Sequence, residues 1–244
     1  MTIMKKYIYF LLAVFCVTMV SCGDDNNTND EPIQPDNTED NKFPTELVGV
    51  WCYYSGSPNS LFVEFNEEDI LNMTYTFTSN GNLNETFVYY SPDYEGKKTS
   101  TIGNWSVENK KLSIYDWNGN KFNGDVSYKI NDDNSMTLTI NGNSAIYYKQ
   151  EDIVKYYSKL ILGGWNNNWP ANGKIRYTFS SDGTAERQSN YINGFFYGSS
   201  SFTWSISGNE LITQNEGVSE QGKSTINYLN KRSLSWGTLY LIKE

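Results

Sequence analysis

The chain has 244 residues, with 19 lysines and arginines against 28 aspartates and glutamates, and no histidine. A net charge of −9 argues against nucleic acid as a ligand, because phosphate binding depends on lysine and arginine. The absence of histidine excludes Ser-His-Asp and Cys-His catalysis and the common histidine-bearing metal sites, so neither a cofactor nor a metal is expected.

The N-terminus reads as a secretory signal. Lys5 and Lys6 precede an apolar run from Tyr7 to Val20, roughly 14 residues where a bilayer span needs about 20. The run closes on Met19-Val20-Ser21-Cys22, which resembles the lipobox of a bacterial lipoprotein. That resemblance implies removal of residues 1–21 and lipidation of Cys22, now the first mature residue. An uncleaved anchor or an ordinary cleaved signal are the alternatives. Several acyl chains on one residue give lasting membrane attachment. Cleavage leaves 19 − 2 = 17 basic residues against 28 acids, a net charge of −11. Cys16 leaves with the signal and Cys22 carries lipid, so Cys52 has no partner for an intramolecular disulfide and reads as a small buried hydrophobe.

Residues 22–43 form an acidic, asparagine-rich tether with too little apolar surface to fold. As a random coil its ends lie roughly 25 Å apart. Acidic residues directly after the lipidated cysteine resemble the surface-export signal of Bacteroidetes lipoproteins. The implied location is the outer membrane, lipid-anchored and exposed at the cell surface, with the periplasmic face as the alternative.

Beyond the tether the chain repeats itself. Leu47-Val48-Gly49-Val50-Trp51 is answered by Ile161-Leu162-Gly163-Gly164-Trp165, and Tyr75-Thr76-Phe77 by Tyr177-Thr178-Phe179. Trp105-Ser106-Val107 is answered by Trp204-Ser205-Ile206, and Tyr147-Tyr148-Lys149 by Leu241-Ile242-Lys243. The order and spacing describe two whole domains, 44–150 and 151–244, and not the short units of a solenoid. Each copy alternates apolar and polar residues in short runs, as in Met136-Thr137-Leu138-Thr139-Ile140, a strand pattern. Turn dipeptides separate the runs: Asn80-Gly81, Asn118-Gly119, Asn141-Gly142, Asp182-Gly183 and Gly208-Asn209. Two helices are expected. One covers Glu67 to Met73 with Asn66 as N-cap, and the other runs from Gln150 to Leu160 and links the copies.

A Gly-x-Trp on the first strand of an eight-stranded meander, with a basic residue near the end of the last, resembles the lipocalin-like group. The small lipocalin-like domain of Bacteroidetes lipoproteins is similar over residues 44 to 244. The expected fold class is all-β: two tandem antiparallel meander (lipocalin-like) β-barrels of about eight strands each, with a short linking helix. The resemblance implies that Trp51 and Trp165 plug the closed ends of their barrels, with Lys149 and Lys243 over them as cation–π contacts. The second and third classical lipocalin motifs are absent, and each copy is shorter than a full lipocalin.

No catalytic set stands out, and the chain is not expected to be an enzyme. Glu64, Glu67, Glu68 and Asp69 are the densest acids of the folded part, and favourable charge at a helix start accounts for them better than glycoside chemistry. Asp116-x-Asn118-x-Asn120 approaches a calcium loop, but glycine falls at Gly119 and not at Lys121, and Ser127 stands where the last ligand belongs. A hairpin turn fits that segment better.

Aromatic residues make up 16% of the chain, more than two small cores require, so many should lie at surfaces or in cavities. The asparagine-flanked cluster holding Trp169 and the run holding Tyr191, Phe195 and Tyr197 are the candidate ligand contacts. Tyr75, Phe77, Trp105, Tyr177, Phe179 and Trp204 read as core. The expected function is a non-enzymatic binding module at the cell envelope, for a small apolar ligand or a glycan. The alternative is a structural or interaction subunit with solid barrels that binds an envelope protein partner.

Overall fold

The computed structural model describes residues 42–62, 70–91, 94–167, 174–190, 196–215 and 220–244. Eight antiparallel strands form the first sheet: β1 (Gly49–Gly56), β2 (Ile70–Phe77), β3 (Asn82–Ser91), β4 (Tyr94–Glu108), β5 (Lys111–Asp116), β6 (Val126–Ile130), β7 (Met136–Ile140) and β8 (Asn143–Lys149). Their spatial order is β5-β4-β3-β2-β1-β8-β7-β6, a nearly closed barrel. At the seam Phe122 donates its backbone N–H to the Ile114 carbonyl, and Tyr115 bridges Lys121.

The second sheet closes fully. Its strands are β9 (Gly163–Asn167), β10 (Lys174–Phe179), β11 (Thr184–Asn190), β12 (Phe196–Ser207), β13 (Glu210–Asn215), β14 (Gly222–Leu229), β15 (Ser233–Trp236) and β16 (Leu239–Lys243). Closure comes from β16 pairing β9, with Lys243 opposite Trp165. A closed meander leaves no strand edge to recruit another chain.

Alternation along each strand builds the cores. On β1, Trp51 and Tyr53 point inward and are buried, and Cys52 and Tyr54 point outward. The first core gathers Trp51, Tyr53, Tyr75, Phe77, Phe87, Trp105 and Tyr147, and the second gathers Trp165, Tyr177, Phe179, Phe202 and Trp236. Trp204 is half-buried, with Phe179 at 5.6 Å, whereas Trp105 is packed by both Phe77 at 5.2 Å and Phe43 at 5.4 Å. The hairpin at Asn141-Gly142 has both residues at positive φ, 51° and 85°, as a type I′ turn requires. Asn109 and Lys110 make a second turn of this kind at 51° and 61°, without the glycine that would announce it.

The expected helix over Glu67 to Met73 is corrected at its second half: Ile70 to Met73 open β2. All four are buried, because the strand is covered on both faces and carries a bulge between Ile70 and Asn72. That apolar run imitates a helical stripe. Asn66, Glu64, Glu67, Glu68 and Asp69 lie outside the described residues. The linking segment is helical but broken, as α1 (Gln150–Ile153), a 3-10 turn (Val154–Tyr156) and α2 (Tyr157–Leu160).

The two barrels share an interface. Outward-facing Cys52, Tyr54, Ile146 and Tyr148 pack with Ile153, Tyr156 and Tyr157 of the linking segment in the second core. Leu71 and Val88 of the first barrel meet Tyr228 of the second. The bulge in β2 frees the Leu71 carbonyl from its ladder, and Asn230 Nδ2 (3.0 Å) and Ser233 Oγ both donate to it across the interface. Lys231 adds its backbone N–H to the Tyr54 carbonyl at 3.1 Å.

Candidate functional site

The closed ends are built alike. Trp51 Nε1 donates to the Leu47 carbonyl at 2.7 Å, and Trp165 Nε1 donates to Ile161 at 2.6 Å. Lys149 Nζ lies 5.4 Å from the centre of the Trp51 ring, and Lys243 Nζ lies 4.3 Å from that of Trp165. The motif glycines Gly49 (φ 140°) and Gly163 (φ 103°) have backbones that side chains rarely adopt, which lets each strand start beneath its lysine. Lys243 also donates to the Leu160 and Leu162 carbonyls, and burial holds its ammonium below the usual lysine range. These groups are satisfied by their own chain and seal the barrel.

The interiors differ. In the first barrel Tyr75 faces Glu85 across β2 and β3, and the Glu85 side chain is wholly buried. Four donors surround its carboxylate: Leu61 N at 2.8 Å, Ser60 Oγ at 2.8 Å, Tyr75 OH at 2.9 Å and Thr101 Oγ1 at 3.2 Å. Burial raises the Glu85 carboxyl above the ordinary glutamate range, and these hydrogen bonds pull it partly back. Ser60 and Leu61 belong to the connection after β1, whose described part enters the open end of the barrel with Leu61 buried in the core. Phe62 rests where Gly103 has no side chain, since a Cβ there would meet the Phe62 ring at 2.7 Å. The first interior is thus filled by its own residues.

In the second barrel the same step holds Tyr177 opposite Arg187. Cross-strand partners share a face, so Arg187 points into the barrel, where its guanidinium lies beside the Tyr177 hydroxyl. Burial raises Tyr177 above the ordinary tyrosine value, and Arg187 opposes that rise. Around this pair stand Phe202, 6.4 Å from Tyr177, and Trp236, 4.8 Å from it. Tyr177, Phe202 and Trp236 retain 7%, 8% and 9% exposure, whereas Tyr75, Phe87 and Tyr147 of the first barrel retain 0%, 0% and 1%. The connection between β9 and β10 spans only residues 168–173, against 57–69 between β1 and β2.

Hollows outside the barrels are lined by described residues in two places. One of about 130 Å³ sits between them, lined by Cys52, Asn72, Thr74, Tyr157 and Tyr228, and is smaller than a usual ligand pocket. Burial, followed by the nearby Glu151 charge, pushes the Cys52 thiol up to about 11, so it does not act as a thiolate. The other, about 480 Å³, is an open groove along Lys129, Asp133, Thr137 and Tyr148.

Of the sequence candidates, Trp169, Tyr191 and Phe195 lie outside the described residues, as does Cys22. Tyr197 falls in β12 with its side chain outside them. Asp116 makes a turn: Oδ1 accepts from Asn118 N and Asn120 N, and Oδ2 accepts from Asn120 Nδ2. Those bonds hold its carboxyl below the usual range. This turn displays Trp117 at 77% exposure beside Ile102 at 67%, a feature the sequence reading passed over. The rows around Ile102 on the outer face carry Thr76, Asn84, Asn82 and Asn104, and the last leads to Tyr115, which bridges Lys121.

Residues 147–236 match the family model described as the lipocalin-like domain. The match begins in the last residues of β8, spans the linking segment and ends with β15, so it falls on the second barrel. No curated protein and no solved structure matched the chain.

Proposed function

We propose that the chain is a non-enzymatic binding protein of the cell envelope, and that its small, largely apolar ligand enters the open end of the second barrel. The observation that carries this reading is the contrast between two copies of one barrel. Where the first is plugged by Ser60, Leu61 and Phe62, the second presents Tyr177, Phe202 and Trp236 with residual exposure. An eight-stranded barrel is wide enough for its own side chains or for one small ligand, and the two copies take one option each. The lipid on Cys22 and the acidic tether would present this barrel from the outer membrane.

The test is a titration of the full chain with N-phenyl-1-naphthylamine, a neutral dye that fluoresces in apolar sites. Saturable enhancement near one dye per chain supports the reading, and a linear, unsaturable response overturns it. A second reading, glycan contact on the first barrel, is favoured by Trp117. It is held out on a turn fixed by the Asp116 carboxylate, near the amides of Asn84 and Asn104, which suits stacking on a sugar and bonding to its hydroxyls.

A further inference from the structure

Arg187 is a cation facing into the second barrel, and no carboxylate among the described residues is paired with it. The ion pairs among the described residues are Lys155–Asp152 and Arg176–Glu244, and neither involves it. Its neighbour Glu186 lies one residue away on the strand and so on the opposite face of the sheet. Among the described residues, Tyr177 stands opposite it on β10 and Ser200 opposite it on β12, and Phe202 and Trp236 pack on Tyr177. A half-buried charge without a counter-charge is costly, and proteins ordinarily pair it or remove it. The first barrel shows what a filled version looks like, with Glu85 at this step surrounded by four donors from its own chain. The second barrel keeps the reverse charge and supplies one tyrosine hydroxyl.

We propose that the ligand of the second barrel is an amphipathic anion, with an apolar body on Tyr177, Phe202 and Trp236 and a carboxylate or similar oxyanion head on Arg187 and the Tyr177 hydroxyl. Guanidinium is the cation suited to this task, since its planar fork meets a carboxylate in a bidentate pair and is weakly hydrated. The inference rests on the barrel-binding reading above and adds the charge of the ligand.

The experiment compares two dyes with the same rings on the full chain: 8-anilinonaphthalene-1-sulfonate, which carries an anionic group, and N-phenyl-1-naphthylamine, which does not. The expected result is about tenfold tighter binding of the sulfonate. Arg187→Gln should bring the two dyes to within about twofold, and Arg187→Lys should keep part of the preference. In the wild-type chain, which requires no variant to fold, octanoate should displace the neutral dye at lower concentration than octanol. Equal binding of the two dyes, an unchanged preference in Arg187→Gln, or octanol matching octanoate overturns the anionic head and leaves the barrel reading standing. Failure of both dyes to bind overturns the barrel reading itself.

Discussion

Glu85 and Arg187 stand at equivalent steps of the duplicated barrel, each opposite the tyrosine of a Tyr-Thr-Phe strand. The exchange is present in the sequence at the same offset from the two motifs. It escapes notice because a charged residue in an alternating strand reads by default as solvent-facing. Its inward direction depends on register, which only the assembled sheet fixes. Glu85 has a measurable consequence. The folded chain holds its proton more tightly than the unfolded chain, so Glu85 contributes most at or below the ordinary glutamate range, and that contribution is lost as pH rises through the folded value. Glu85→Gln keeps the shape and removes the titration. Urea midpoints measured from about pH 5 to about pH 8 should therefore fall less with pH in the variant than in the wild type. Parallel profiles would show that Glu85 does not titrate differently in the folded chain.

At the scale of elements, the strands, most of their turns and the closed-end motif were legible. Alternation and turn dipeptides are local signals, and Gly49, Trp51, Gly163 and Trp165 carry the duplication openly. What sequence reasoning missed was created by neighbours. Ile70 to Met73 look helical because the second barrel covers the outer face of a strand that would otherwise alternate. The entry of Ser60 and Leu61 into the first barrel was hidden too, since nothing local marks a connection as a plug. The Leu71 carbonyl, freed by the bulge, shows how the elements lock together. Changing both Asn230 and Ser233 to alanine leaves that buried carbonyl without either donor, at a cost of about 1–3 kcal/mol. The expected outcome is a lower urea midpoint with faster amide exchange along the start of β2. A midpoint within error of wild type would mean that this bond does not hold the barrels together.

At the scale of the whole molecule, the duplication reads as a division of labour. One barrel is filled and carries the exposed Trp117 turn, and the other keeps an aromatic interior with an arginine that no carboxylate among the described residues pairs. The candidate ligand residues named from the sequence were chosen for aromatic density, whereas the interior set of Tyr177, Arg187, Phe202 and Trp236 is assembled from four separate strands. A lipid on Cys22, as proposed, would fix where this pair is displayed. Cys22→Ala should abolish lipid labelling and release the chain from membranes, and retention without label would indicate an uncleaved anchor. The central claim is that the second barrel binds and the first does not. Amide chemical-shift mapping of the full chain with 8-anilinonaphthalene-1-sulfonate tests it most directly. Saturable shifts are expected at Tyr177, Arg187, Phe202 and Trp236, with Tyr75, Glu85 and Tyr147 unmoved. Shifts centred on the first barrel, or no saturable shifts in either, would contradict it.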